Sequence, residues 1–496
     1  MSSSDSQRTH NQRTLVWLRT DLRSRDNPAL WHACQQPGEV VAVYCHTQAQ
    51  WQQHGLGPRK IRLMENAVAE LQQQLAQRNI PLLVLQADDF SNSLTLLQQL
   101  ITELQIQRVY FNNEYEVNER KRDINFCRWA KQQQLEVLRY HDQCLVPPGE
   151  VLTKTAQPFK VYSPFRRAWL PLAERLLEAP LAQPASSNQV SANPAAELSA
   201  ELQQRLLSLS IEADPLWAHD EDSLHQQLER FIDERAEDYK EQRDLPAVAG
   251  TSQLSTALSI GLLSVRQCIY AAAQANNGLL AGGKRGLDSW VNELTWRDFY
   301  RHLLVAFPAL CKHQNFKPDY NGVRWRDSDS DFAAWCEGRT GYPIVDAAQR
   351  QLLQTGWMHN RLRMISAMFL TKHLLIDWRR GEAFFNQQLV DADLASNNGG
   401  WQWSASTGAD GAPYFRIFNP ISQSEKFDAD GEFIARYVPE LARLPGRSRH
   451  QPNAFERQQC GYPQPVVEQS FGRQRALEAF RELKESAPEQ LAGASQ

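Results

Sequence analysis

The sequence predicts two architectures in one chain: an N-terminal doubly wound parallel α/β sheet domain, a long linker, and a C-terminal all-α domain. Three observations predict this. Strand-length apolar runs alternate with helix-length segments only as far as about Tyr140. From Leu177 to Leu198 the chain is rich in Ala, Pro, Ser and Asn and has little apolar periodicity. Beyond Glu221 strand patterns nearly vanish. At 496 residues the chain exceeds one ordinary core. The expected limits are 12–144 for the α/β domain, 145–220 for the linker and 221–485 for the helical domain.

The predicted strands are Leu15–Leu18, Val40–Cys45, Leu82–Leu85, Val109–Phe111 and Val137–Tyr140. Between them Pro28–Gln35, Pro58–Gln77, Ser93–Leu104 and Asn118–Gln133 have helical character. No G-x-G-x-x-G follows the first strand, which argues against a conventional dinucleotide site there. The Gly282–Gly286 cluster reads as a loop. In the helical half, Leu224–Tyr239, Val265–Ala273, Trp290–Ala306 and His359–Trp378 carry the pattern. After Arg443 only Phe471–Leu483 reads as helix.

Composition narrows the function. Hydrophobic content of 42% and charged content of 22% suit a soluble globular protein. Met1 to Arg13 is polar and no apolar run reaches spanning length, so neither a secretory signal nor a membrane span is expected. The 8 cysteines form no C-x-x-C pair, which suits reduced thiols in a cytoplasm and no metal site. A formal charge of -4 excludes a general basic coat, so any contact with nucleic acid needs a local patch.

The most informative stretch is Asp391 to Trp403, D-A-D-L-A-S-N-N-G-G-W-Q-W. Acids, amides, a glycine pair and tryptophans would profit neither a plain helix nor a plain strand. They suit a pocket that hydrogen-bonds a polar heteroaromatic edge. On the predicted Trp290–Tyr300 helix, Glu293 and Asn292 share a face with Trp296. Arg361 and Arg363 open a mostly apolar helix, where they oppose the macrodipole, so each calls for a carboxylate or phosphate. Thr251 and Ser252 read as N-caps whose surroundings form an anion site. The 14 tryptophans are mostly core residues on packing grounds.

These motifs, from about Thr14 to Pro465, resemble the photolyase/cryptochrome family, and most of all its class I bacterial, folate-type members. The opening L-V-W-L-R-T-D-L-R with Asp26-Asn27 matches the family signature, and its local role is structural. The resemblance implies FAD held by Tyr239, Thr251, Ser252, Gln253, Leu254, Ser255, Trp290, Arg363, Asp391, Ala392, Asp393 and Asn397. It pairs Arg363 with Asp391 and sets Asn397 beside the reactive flavin nitrogen. Trp325, Trp378 and Trp401 match its electron-carrying tryptophan chain. Glu293, Trp296, Met364, Asn397 and Trp403 match its catalytic residues. Contacts to DNA fall on Arg243, Glu293, Trp296, Arg297, Tyr300, Asn360, Arg361, Leu362 and Arg363, with Arg416 or Lys426 as further phosphate contacts. Asn118, Glu119, Cys311 and Lys312 match an antenna site for 5,10-methenyltetrahydrofolate, with a deazaflavin as the other candidate.

The resemblance implies light-dependent repair of cyclobutane pyrimidine dimers in single- or double-stranded DNA, by a cytoplasmic monomer with no obligate protein partner. The wording G-W-M-H-N-R-L-R-M at 356–364 is that of relatives acting on cyclobutane dimers, whereas those acting on the six-four photoproduct carry a second histidine. Gln349 departs from the family's usual methionine. The competing expectation is a cryptochrome-type photoreceptor that signals through a protein partner. A chain that ends soon after the last family-like segment favours repair.

Overall fold

The computed structural model describes residues 12–185, 193–212 and 214–493. The polar start up to Asn11 and the middle of the Pro- and Ser-rich stretch, 186–192, lie outside them. The chain divides into two compact units. One comprises Met1–Pro158, Arg166–Glu237 and Ser252–Ala306; the other comprises Phe159–Phe165, Asp238–Thr251 and Phe307–Gln496. Contacts thus group the 221–237 and 252–306 helices with the sheet.

All five predicted strands form, as β1 (Arg13–Leu18), β2 (Glu39–His46), β3 (Leu82–Gln86), β4 (Arg108–Asn112) and β5 (Glu136–Tyr140). They pair in parallel in the order β3-β2-β1-β4-β5, with Leu15 opposite Val41 on one side and Val109 on the other. The central strands are apolar over Leu15–Leu18, Val40–Cys45 and Val109–Phe111 because both faces are covered there. Trp17, Phe111 and Phe126 meet edge to face at 5.3–6.0 Å within this core. Two covering helices start where the sequence says, with Asn27 capping Pro28–Cys34 and Pro58 opening Pro58–Ala76; the third, Phe90–Glu103 capped by Asp89, starts three residues before the expected Ser93.

The order reverses between β1 and β4, the usual ligand crevice of such sheets. Here the chain fills it. Asn112 donates to Asp21 (2.6 Å) and Asn27 (2.8 Å), and Arg122 pairs with Glu114 (2.7 Å) and Asp123 (2.8 Å). The opening motif is therefore structural, as expected.

Several helical expectations need correction. His359–Trp378 is not one helix: Asn360–Met368 passes into a π-helical turn, Phe369–His373, and Trp378 opens a new helix capped by Asp377. Leu375, with φ of 52°, makes the break. Leu224–Tyr239 is Glu221–Glu234, after which Tyr239–Gln242 forms a separate turn. Of the glycine cluster, Arg285 and Gly286 already belong to the Arg285–Ala306 helix. A Cβ on Gly286 would lie 2.1 Å from the carbonyls of Ala236 and Glu237, so this close approach requires glycine. The tail holds Gly446–His450 and Ala454–Cys460 besides Gln469–Gly493. No helix among the described residues is long and apolar enough to cross a membrane.

The π-helical turn buries Lys372 completely. Its Nζ donates to Ala405 O (3.2 Å) and Ser406 Oγ (2.9 Å) and stands 3.8 Å from the centre of the Phe480 ring. Burial pushes its pKa down to about 7 from 10.5. Across that window the unfolded chain carries a proton that the folded chain lacks, so this residue's contribution makes stability rise with pH. Lys372→Met is expected to be the more stable protein near pH 7. Its advantage should shrink by roughly 1.4 kcal/mol per pH unit as the window is climbed, read from urea midpoints.

Candidate active site

The second unit holds the largest share of the implicated residues. Despite its composition, the informative stretch forms a helix, Leu394–Ala405, because Asp393 caps it by accepting from Ser396 N at 2.8 Å. This corrects the expectation that no helix would profit from these residues. Just before the cap, Asp391 is buried (3% exposed side chain) and receives both of its hydrogen bonds from Arg363 Nη2, at 2.8 and 3.0 Å. Arg363 Nε donates to Met358 O at 2.8 Å. The carboxylate partner that helix electrostatics demanded for Arg363 is therefore present.

Arg361 finds its partner in Asp244 (2.8 Å) and lies 4.5 Å from the Phe427 ring centre. Arg243 shares Asp244 at 3.8 Å and covers Tyr239 at 5.6 Å. Asp244 thus meets two guanidinium groups, the kind of side chain that also pairs with phosphate. His359 caps the Asn360–Met368 helix with Nδ1, which accepts from Arg361 N at 3.2 Å. Burial holds its pKa down at about 4, so the neutral ring carries its proton on Nε2. That buried N–H has no hydrogen-bond partner among the described residues, and neither has the indole N–H of Trp401.

Asn397 donates its amide nitrogen to Glu382 O at 3.0 Å, which leaves the oxygen as its outward polar atom. Trp401 is buried between Phe385 (4.9 Å) and Trp335 (5.9 Å). Trp378 is fully buried, with its indole N–H on Asn315 Oδ1 at 2.9 Å. Trp325 is only partly buried and meets Phe480 edge-on at 6.2 Å. Met364 and Trp403 are half-buried, Asn360 is exposed and Ala392 is buried. Leu362 is a correction: its side chain is fully buried in the core and has no surface to offer DNA. Cys311 and Lys312 sit on the Pro308–Lys312 turn, half-buried and exposed respectively.

The first unit holds the Arg285–Ala306 helix. It is anchored by Asp298, which accepts from Leu145 N (3.1 Å), Val146 N (3.4 Å) and Trp169 Nε1 (3.1 Å) and is pushed up to about 6 by burial. Trp290 packs on Phe231 at 4.8 Å. Glu293 accepts from Asn292 at 3.3 Å, and Trp296 lies 5.7 Å from Tyr300 on the half-buried side. Arg297 donates to the carbonyls of Gln143 and Leu258, so its guanidinium serves the fold of this unit.

Thr251 and Ser252 are not helix caps. The Ser255–Ile260 helix begins after Leu254 without a side-chain cap; Ser252 Oγ accepts from Leu254 N at 3.4 Å within a turn that sets Gln253 at φ 55°. Ser252 and Gln253 instead border a polar cavity of about 280 Å³ with Gln227, Arg230 and Arg235. Sequence reasoning missed those three. No sequence signal marked them: Arg230 is exposed on its helix and Arg235 lies just past the end of Glu221–Glu234. Asn118 and Glu119 do come together, joined by His54, another residue the sequence reading missed: His54 lies 3.1 Å from Asn118 and 3.8 Å from Glu119. Burial, reinforced by Glu116 and Glu114, raises the Glu119 carboxyl to about 8.

The residues present fit a flavin. Buried donors without protein acceptors, a forked carboxylate and an outward amide oxygen are the set that a heteroaromatic ring with carbonyl and N–H edges would satisfy.

Two family models match the chain, that of DNA photolyase over residues 14–185 and that of the FAD binding domain of DNA photolyase over 290–482. The chain is 44% identical to the deoxyribodipyrimidine photo-lyase of Escherichia coli over 94% of its own length and 98% of that protein. Identity to the deoxyribodipyrimidine photo-lyase of Vibrio cholerae is also 44%, over 95% of this chain and 99% of that protein. Among solved structures, a bacterial class III photolyase from Agrobacterium tumefaciens superposes with a TM-score of 0.83 at 34% identity, covering 96% of this chain and 98% of that one. A Synechocystis cryptochrome gives 0.80 at 26%, covering 95% and 99%. With matches of this identity over nearly its full length, the chain belongs to the DNA photolyase family.

Proposed function

We propose that this protein is a light-dependent DNA repair lyase that reopens cyclobutane pyrimidine dimers, with FAD as its cofactor. One observation carries the reading: near full-length identity to deoxyribodipyrimidine photo-lyases coincides with the fitting residues, Arg363, Asp391 and Asn397, gathered in one unit. Arg363 and Asp391 hold the flavin ring edge, and Ser252 and Gln253 are among the diphosphate contacts. Tyr239, Thr251, Leu254, Ser255, Trp290, Ala392 and Asp393 complete the cofactor contacts. When bound and reduced, FAD supplies the light-driven electron that splits the cyclobutane ring and then returns.

The remaining residues handle the DNA. The damaged pair leaves the stack, which costs least where stacking is already distorted. Glu293 accepts hydrogen bonds from the bases, and Trp296, Trp403 and Met364 supply apolar surface. Arg243, Arg361 and Asn360 grip flanking phosphates, so binding weakens as salt rises. Asn118, Glu119 and His54 recognise an antenna of the folate type, with Cys311 and Lys312 as its further contacts. Trp325, Trp378 and Trp401 carry electrons inward by short hops. The protein acts on damaged DNA in the cytoplasm as a monomer.

The test uses ultraviolet-damaged oligothymidylate with the purified protein under near-ultraviolet light or in darkness. Ultraviolet absorbance should recover only under illumination; equal traces in light and dark refute repair and leave the photoreceptor reading. Trp325→Phe should abolish photoreduction of oxidised flavin while repair persists after chemical reduction.

A further inference from the structure

The Asn397 amide is part of a larger buried arrangement that reaches solvent. Glu382 is buried (3% exposed side chain) and is the common anchor of two consecutive amides: its backbone carbonyl takes Asn397 Nδ2 at 3.0 Å, and its carboxylate Oε1 takes Asn398 Nδ2 at 2.9 Å. Gln402, one turn on, donates to Asn398 Oδ1 at 2.9 Å and to Gln314 O at 3.1 Å, and accepts from Phe316 N at 2.9 Å. The other carboxylate oxygen, Oε2, is held by His313 Nδ1 at 2.7 Å.

His313 differs from the other members. Its side chain is 54% exposed, and its backbone is left-handed, with φ of 55°, a conformation a residue with a Cβ keeps only when it is held there. Arg379, three residues before Glu382 on the same helix, holds it by donating Nε to His313 O at 2.6 Å. One helix thus fixes both the ring and the backbone of a surface histidine. The hydrogen bond to Glu382 raises the His313 pKa, while burial and the Arg379 charge oppose the rise. Those two are the charged groups acting on the ring; the Leu394–Ala405 helix faces the cluster with the neutral amides of Asn398 and Gln402.

We propose that Glu382 and His313 are positioning residues for the Asn397 amide, and that the protonation of His313 sets how firmly that amide is held against the flavin. With the ring charged, a charge-assisted bond clamps the Glu382 carboxylate and the Asn398 amide on it, and through Asn398 the helix turn that sets the neighbouring Asn397 with its nitrogen on the Glu382 carbonyl and its oxygen outward. An outward oxygen can only accept, so it favours a flavin nitrogen that carries a proton, which is the reduced cofactor. As pH rises through the His313 titration the clamp weakens. The inference rests on the reading that Asn397 faces the flavin.

The test is the rate at which the chemically reduced holoprotein reoxidises in air, followed by flavin absorbance across pH, together with an NMR titration of the His313 ring. In the unaltered protein reoxidation should accelerate as His313 deprotonates, by a factor on the order of five, what one net hydrogen bond is worth. His313→Gln should reoxidise at the fast rate at every pH. Glu382→Gln, of nearly the same shape, should do the same and lower the His313 pKa. Flavin content checks that each variant is folded and loaded. Asn397→Ala separates the two ways to fail. If it speeds reoxidation but the His313 and Glu382 variants keep the unaltered rate and pH profile, the positioning inference is wrong. If Asn397→Ala itself changes nothing, the placement of Asn397 at the flavin is wrong.

Discussion

Arg363→Met is expected to give a folded but colourless protein with a large loss of stability. The substitution removes both hydrogen bonds to Asp391 and the one to Met358 O, and it leaves the Asp391 carboxylate in a site only 3% exposed. Stranding a buried charge costs about 3–5 kcal/mol, far more than the intact pair contributes. Part exposure of Arg363, at 26%, lets water reach one side and places the expected loss at the lower end, about 3 kcal/mol. The double variant Arg363→Met with Asp391→Asn should recover much of that stability, because the stranded charge is gone, yet still fail to hold the cofactor. Urea midpoints and the ratio of flavin to protein absorbance read the two effects apart. A yellow, stoichiometrically loaded Arg363→Met protein would remove this pair from the flavin site.

The α/β half was legible because each of its elements answers to a local rule. Buried parallel strands need unbroken apolar runs, and Asn27 and Pro58 mark helix starts, although the cap at Asp89 went unread and that helix was expected only from Ser93. Parallel pairing followed from the alternation, since a helix between successive strands forces it, whereas strand order and register are not written in that pattern. The helical half yielded less. His359–Trp378 is apolar enough for one helix, and what interrupts it is a left-handed Leu375 and a cap at Asp377, neither with a strong signal in composition. Thr251 and Ser252 have the chemistry of caps, but the turn they form ends at Leu254, and the helix there begins uncapped.

For the site, the partners of Arg361 and Arg363 could be demanded from helix electrostatics alone, although finding Asp244 and Asp391 required a contact across the chain. The resemblance supplied the pairing of Arg363 with Asp391; it supplied nothing for Asp244. His54, Arg230 and Glu382 were invisible for a common reason: each matters through a neighbour distant in sequence, and on its own helix or turn each is an ordinary polar residue. The mixed Asp391–Trp403 stretch was read correctly as unusual and wrongly as unhelical. One aspartate cap was enough to carry two glycines and two tryptophans into a helix whose faces are set by tertiary contacts.

Gly381→Ala tests whether the tryptophan route depends on packing as well as on residue type. Alanine at this helical position would ordinarily stabilise by up to about 1 kcal/mol. Here the added Cβ would stand 2.1 Å from Cη2 and 2.4 Å from Cζ3 of Trp401, and 2.7 Å from Leu370 Cδ2. A methyl group needs roughly 3.5 Å or more from carbon, so one partner must move by more than an ångström. The indole has nowhere to go, because Phe385 and Trp335 already close its other faces at 4.9 and 5.9 Å. The clash therefore outweighs the helix preference, and a net loss of about 1–3 kcal/mol is expected, read as a lower melting temperature. The displaced ring also changes its distance and tilt toward its electron partners, so photoreduction of the oxidised flavin should slow severely. Repair by protein that has been reduced chemically should survive, since that step does not draw on Trp401 as a relay. Loss of both together would mean that the ring also shapes the flavin or lesion pocket. An unchanged melting temperature with normal photoreduction would show that the Trp401 packing is softer than its contacts indicate.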